Sequence, residues 1–316
     1  MKSILIRDLI KKTLGFIYKS LPYINKKLDN GLTIFVFHEI SNNPSKFAKE
    51  FGLAISTQTF RYQINWIKSN FNIIHPRDIL SDQGIPKRAA IISFDDGFLG
   101  SFVNGLSILE EMNVPSILFL NMQAILEGKP ILSAVACYLD RYVSEFSEFS
   151  KKSGLLSPAH LTLSPSSLQE YENQYGVIDS SEILDYQGLF ADIDTVNKWD
   201  DNQLVTFGNH FFQHWNAAAL SENEFIEQYE KNNIALSKLN SNLNLFAFTN
   251  GQPETCFSDK HIALLENLNA GKIFSAVNGV NVDTNKFILG RLSLFETDNN
   301  ENNLWFRVGR DAINYE

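Results

Sequence analysis

The chain has 316 residues, 44% of them hydrophobic and 20% charged, enough to bury one large core or two modest ones. Its formal net charge of −9 argues against nucleic acid, which requires a basic footprint, and makes an anionic polymer a poor partner. Cys137 and Cys256, the only cysteines, lie far apart without metal-ligand spacing, so no disulfide framework is indicated and a reducing compartment fits.

Residues 1–28 hold seven Lys or Arg against one acidic residue, a local charge of +6 that leaves −15 on the remainder. On a helical wheel Ile6, Leu9, Ile10, Phe16, Ile17 and Leu21 gather on one side and Arg7, Lys11, Lys12 and Lys19 on the other, and Pro22 ends the run. The pattern predicts a basic amphipathic helix within an N-terminal segment, residues 1–30. Two readings stand. Either the helix docks peripherally on an anionic membrane surface through residues 3–21, or it packs on the body of the protein with its lysines in water. Charge interrupts the apolar stretches too often for a secretory segment or a membrane span. The expected location is therefore cytoplasmic, or peripheral at the inner membrane face.

Beyond residue 31, apolar strand candidates recur at 32–37, 72–74, 89–94, 115–120, 204–207, 244–248, 272–277 and 287–295. Helical patterns lie between several of them, including 58–69, 101–112, 221–239 and 258–269. The alternation predicts one α/β catalytic domain of barrel type over residues 31–316. Residues 127–203 break the rhythm with polar, Ser-rich sequence such as SEFSEFSKKSG, which reads as a long insertion with some helix. Such an insertion either shapes a substrate cleft or is a tolerated surface loop.

Two short motifs carry the chemistry. The buried-type run AAIISF leads into Asp95, Asp96 and Gly97, and LVTF leads into FGNHFFQH, which sets His210 and His214 four residues apart. Four residues is about one helical turn, so on a turn entering a helix both imidazoles would face one point. With Asp96 supplying an oxygen, two His and one carboxylate make a hydrolytic divalent-metal site with an open position. Asp95 is left over as a base. Taken singly, a His pair is more often a surface helix face and an Asp pair a solvated turn or N-cap. Their position directly after strands, where barrels of this kind do chemistry, favours the metal site. Gly208 permits close backbone approach, and Asn209 is available to orient a ligand. Zn²⁺ suits these donors, and Co²⁺, Ni²⁺ or Fe²⁺ could occupy the same ligands.

In order and spacing, ISFDDG, GNHFFQH, FAFTNGQP (246–253), GKIFSAVNG and FILGRLSLF resemble the polysaccharide deacetylases over roughly residues 31–296. This is the NodB-homology family, also called carbohydrate esterase family 4. The resemblance implies a distorted (β/α) barrel that removes acetyl from an N-acetylated amino sugar with a bound divalent metal. Asp96, His210 and His214 would hold the metal and Asp95 would be the general base. The backbone N–H of Asn250, in the FTNG turn, would share the oxyanion, with Gly251 letting the turn come close.

The family's C-terminal His, which protonates the departing amine, is missing from FILGRLSLFE. FVFHEI instead puts His38 at the end of an N-terminal strand, similar to poly-N-acetylglucosamine deacetylases, so His38 is the expected general acid. The family's tethering Arg is also missing from LFAFTNG, and Arg291 is the expected substitute that keeps Asp95 ionised. Trp199 and Trp215 are either sugar-stacking platforms or core residues. His75 and His261 are expected outside the site, and His160 carries no signal. The favoured substrate is a nucleotide- or lipid-linked precursor of a surface glycan. Hydrolysis of another acyl amide or ester, or glycan binding without catalysis, are the rivals.

Overall fold

The computed structural model describes residues 2–81, 84–156 and 158–314. The side chains of Ile6 and Arg7, which enter the helical-wheel reading, lie outside the described residues.

The strands are β1 (Leu32–Phe37), β2 (Glu39–Ile40), β3 (Ala54–Ile55), β4 (Asn72–Ile73), β5 (Ala89–Phe94), β6 (Ser116–Leu120), β7 (Val205–Asn209), β8 (Asn242–Ala247), β9 (Lys272–Ser275), β10 (Ile288–Gly290) and β11 (Leu292–Ser293). Nine of them form one parallel sheet in the order β10-β9-β8-β7-β6-β5-β1-β11, with β4 beside β5, while β2 and β3 form a small pair of their own. The two ends of this order are one continuous stretch of chain. β10 pairs with β9 and β11 pairs with β1, so residues 288–293 close the sheet into a barrel and change partner at Arg291. Asn281 stitches the seam, donating to the carbonyls of Leu32 and Gly290 at 3.1 and 2.9 Å and accepting from Gly290 N at 2.8 Å.

Alternation of side chains along each strand decides what faces inward. Leu32, Ile34, Ala89, Ile91, Ile117, Phe119, Leu245, Ala247, Phe274 and Leu289 form the apolar filling of the barrel. Their neighbours Phe35, Phe37, Ala90, Ile92, Phe94, Val205 and Phe207 pack outward beneath the helices. Continued past the strand ends, the inward series Leu32–Ile34–Val36 reaches His38 and the series Ala89–Ile91–Ser93 reaches Asp95. The same parity brings His210 inward from β7. Chemistry-bearing residues thus gather at the carboxyl ends of the parallel strands.

The expected regular helix at 101–112 opens instead with a π-helical turn, Ser101–Leu106, before α-helix Ser107–Glu111. The wider turn lets Ser101 Oγ donate to the carbonyl of His38 and Asn104 Nδ2 to that of Ile40 at 2.8 Å. The chain leaving β1 is thereby tied to the chain leaving β5.

Between β6 and β7 the Ser-rich stretch is mostly helical, with helices Leu132–Tyr142, Ser144–Ser153, Ala159–Thr162, Pro165–Tyr175, Ser180–Gln187 and Ile193–Asp200. Phe146, Phe149, Tyr171 and Ile183 give it an apolar centre that joins the barrel through Phe211 and Trp215. At the N-terminus, helix Lys2–Ser20 lies against the C-terminal helix Glu301–Asn314. A side chain at Gly15 would meet the carbonyl oxygen of Asn302 at 1.8 Å, and one at Gly309 would meet Tyr18 Cβ at 2.6 Å, so these two glycines set how closely the helices approach. Among the described residues, no helix is long and apolar enough to cross a membrane.

Candidate active site

β5 delivers Asp95 and Asp96 to the barrel rim. Asp95 N donates to the carbonyl of Phe37 at 3.0 Å, continuing the ladder, and then the chain turns sharply, with Asp96 at φ 74° and Gly97 at φ 103°. A left-handed backbone is unfavourable for a residue with a side chain, and here it aims Asp96 away from Asp95, so that adjacent carboxylates serve different neighbours.

The sequence spacing places His210 and His214 on a turn entering a helix. The structure corrects this: β7 ends at Asn209 and residues 210–216 form a loop. Phe211 and His214 take left-handed backbone at φ 59° and 62°, which folds the loop so that the two rings lie 4.9 Å apart. Asn209 does not orient an imidazole. Its Oδ1 accepts from Phe211 N at 2.9 Å, while Asn121 Nδ2 donates to the carbonyls of His210 and Phe211, so buried amides hold the loop.

Asp96 Oδ1 stands 3.0 Å from His214 Nε2 and 3.4 Å from His210 Nε2. One donor atom from each of the three buried residues lies within 4.8 Å of the others. His210 Nδ1 is 2.8 Å from the carbonyl of Ala247. A carbonyl only accepts, so Nδ1 carries a proton and Nε2 is the nitrogen turned toward Asp96. Both imidazole Nε2 atoms thus face one carboxylate oxygen, a donor arrangement that a cation would bridge. The two nitrogens and one oxygen therefore fit a divalent metal. His214 Nδ1 is buried without a hydrogen-bond partner among the described residues.

Arg291 holds Asp95 in a bidentate pair, with both groups almost wholly buried. Burial would push the Asp95 carboxyl up, but Arg291 first and His210 next more than offset it and hold it below the ordinary carboxylate range. Asp96 is likewise penalised by burial, yet His214 and His210 keep it well below that range. The Arg291 guanidinium lies over the ring of Phe119, 5.5 Å from its centroid, in the topmost layer of the barrel filling.

These residues line a cavity of about 290 Å³ together with His38 and Asn250. Burial pulls the His38 imidazole below its usual value, opposed by the carboxylates of Asp96 and Asp95. At the end of β8 the turn Thr249–Gly251 is clamped on two sides. Thr249 Oγ1 donates to the carbonyl of Trp215, and Ala276 N donates to Gly251 O at 2.7 Å. Asn250 and Gly251 are both left-handed, at φ 59° and 67°, and the N–H of Asn250 has no acceptor among the described residues.

The remaining walls were not legible in the sequence. Phe47, Phe51 and Leu53 come from the segment after β2, and Ser133, Cys137 and His160 come from the helical stretch between β6 and β7. His160, without a signal in the sequence, has Nδ1 3.5 Å from Cys137 Sγ, and burial pushes that thiol up to about 12, so it stays neutral. Nothing local marks these residues, since tertiary packing alone brings them to the rim. Trp215 does not line the cavity. It is buried in the core with Nε1 donating to Gln213 Oε1 at 3.0 Å, and Trp199 also packs against the core. His75 caps the short helix Pro76–Leu80 and His261 stacks on Phe225, both away from the cavity.

Comparison with known proteins agrees with this geometry. The family model described as polysaccharide deacetylase matches residues 82–272, more than half of the chain. No curated protein matches. Among solved structures, the Streptococcus pyogenes deacetylase PplD in complex with acetate is similar at 13% identity and a TM-score of 0.58, covering 88% of this chain and 98% of that one. IcaB from Ammonifex degensii is similar at 14% identity and a TM-score of 0.56, covering 88% and 97%. A de-N-acetylase from Aggregatibacter actinomycetemcomitans is similar at 16% identity and a TM-score of 0.55, covering 85% and 96%. At such identities the structures speak for the fold, a nearly closed (β/α) barrel of the NodB type, and the sequence match speaks for kinship. The chain belongs to the polysaccharide deacetylase family and is a carbohydrate deacetylase, a hydrolase of amide bonds.

Proposed function

We propose that the protein removes acetyl from an N-acetylated amino sugar, with Asp96, His210 and His214 as ligands of a divalent cation and Asp95 as general base. The observation that carries this reading is the convergence of those three donors beside a carboxylate held ionised by Arg291. A cation bound there would supply Lewis-acid polarisation of the acyl carbonyl and activate a water, and Zn²⁺ suits the donor set, with Co²⁺, Ni²⁺ or Fe²⁺ as substitutes.

The chain's own groups do the rest. Asp95 takes the proton of the attacking water, and Arg291 keeps it ionised and in one orientation. The backbone N–H of Asn250 donates to the oxygen on which negative charge develops, and its lack of an internal acceptor among the described residues suits it to that bond. His38, at the end of β1, gives its proton to the departing amine.

For the substrate we favour a single N-acetylhexosamine on a nucleotide or lipid carrier, a precursor of a surface glycan, with the reaction on the cytoplasmic side. The walls formed by Phe47, Phe51 and Leu53 and by Ser133, Cys137 and His160 support a pocket for one sugar. Acetate release should be compared among sugar nucleotides, membrane-extracted glycolipids and finished N-acetylated polymer. Activity confined to the polymer would sink the precursor reading. Stoichiometric metal with no release from any of the three would sink deacetylation itself.

A further inference from the structure

Helix Lys2–Ser20 presents four of its apolar residues, Leu9, Ile10, Phe16 and Ile17, to solvent. The face that meets the C-terminal helix is formed around Gly15, pressed on Asn302, and Tyr18, whose ring stacks on Phe306 at 6.1 Å and 8°. Leu9, Ile10, Phe16 and Ile17 are not used in that contact, and they are 66, 50, 67 and 44% exposed. At 100° per residue these four fall within an arc of about 120°, with Thr13 and Ser20 inside it. Tyr23, at the start of the next helix, Pro22–Asp29, is 60% exposed. A helix of a soluble protein ordinarily turns such an arc to the core, and a contiguous exposed one marks an interaction surface.

Charge says what the surface meets. Lys12 borders the arc on one side, next to Lys19, which pairs with Glu301 at 2.6 Å, and Lys26 is exposed on the next helix. Residues 1–28 carry +6 and the remainder −15. An anionic plane attracts this segment and repels the body, so it selects one orientation. A symmetric pair of copies joined through the same face would set two +6 segments against each other, which disfavours a dimer. We propose that the Leu9–Phe16 face of the N-terminal helix docks on an anionic lipid bilayer, with the apolar side chains at the acyl boundary and the lysines among the headgroups. This inference is independent of the catalytic reading. It also joins the two alternatives left by the sequence, because different faces of one helix serve packing and docking.

The full chain is sedimented with vesicles of phosphatidylcholine alone and of phosphatidylcholine with phosphatidylglycerol, and its mass is measured by light scattering. Partition onto the anionic vesicles should exceed that onto the neutral ones at least about tenfold and fall about tenfold at high salt. Leu9→Glu with Phe16→Glu should abolish it and Phe16→Ser should weaken it, both with unchanged melting temperature and unchanged acetate release from a soluble N-acetylated sugar. Lys12→Glu with Lys26→Glu should weaken it about tenfold. Equal partition onto both vesicles, no partition, or full retention by the Leu9 and Phe16 variants would overturn the proposal. So would a solution dimer that those variants split, which would assign the face to a second copy.

Discussion

Arg291 and Asp95, 196 residues apart in sequence, form a bidentate ion pair of 2.6 and 2.7 Å at the point where the chain passes from one end of the sheet to the other. The side chain that orients Asp95 therefore comes from the seam where the barrel closes. Removing one member of a buried pair strands the other charge, and Arg291→Met should destabilise the protein by about 3–5 kcal/mol in denaturant titration. Arg291→Lys restores the charge without the two-pronged geometry, so its stability and kcat should both fall between those of the Arg291→Met variant and those of the native protein. A lysine variant equal to the native protein would show that charge alone suffices.

The same pair makes stability depend on pH. Because the folded carboxyl of Asp95 sits below its unfolded value, the folded state binds fewer protons than the unfolded one in that window. The contribution is present above the unfolded Asp value, about 3.9, and is lost as pH falls through the lower folded value. In metal-free protein, Asp95→Asn should flatten the acid side of the stability curve while lowering stability at neutral pH, since Arg291 loses its counter-charge. Unfolding free energies measured between about pH 3 and 7 would check this, and an unchanged acid slope would contradict it.

Metal dependence separates the two neighbouring carboxylates. Because one donor of Asp96 lies close to both His210 and His214, His214→Ala or Asp96→Asn should weaken metal binding at least about tenfold by calorimetry. Asp95→Asn should keep the metal yet lose most of kcat. Chelation should abolish acetate release, and the native protein should gain about 2.7 kcal/mol of apparent stability at metal concentrations about 100 times the Kd. If Asp95→Asn loses the metal as well, the division of labour between the two residues is wrong.

Much of the barrel could be read from the chain because its parallel strands are buried on both faces, so LTIFVF and AAIISF stand out as continuous apolar runs. Strand alternation, continued past their ends, also explains why His38 and Asp95 point into one cavity. Other features were hidden for physical reasons. The four-residue spacing of His210 and His214 suggests a helical turn, yet the convergence is produced by left-handed backbone at Phe211 and His214, which no residue type announces. The Ser-rich stretch looks irregular because, beyond helix Leu132–Tyr142, its buried positions are few and spread over several short helices. His160 and Cys137 reach the cavity only through that packing. At the N-terminus the apolar stripe is legible, but its outward direction is not, because two glycines in separate helices decide which face packs.

His38 offers the sharpest test of how the amine leaves. Its imidazole is drawn down by burial and up by the two carboxylates, with burial the larger effect, so the proton-carrying form is lost as pH rises through a value below 6.5 in the metal-free protein. An amine departs as a poor leaving group unless it is protonated, whereas a nitrophenolate departs unaided. His38→Gln should therefore lower kcat for an N-acetylated sugar by about 10²–10⁴ while leaving metal stoichiometry intact. Hydrolysis of nitrophenyl acetate at the same site should lose less than about tenfold, because general-acid help is not needed there. Equal losses on both substrates would mean that His38 shapes the cavity without donating a proton.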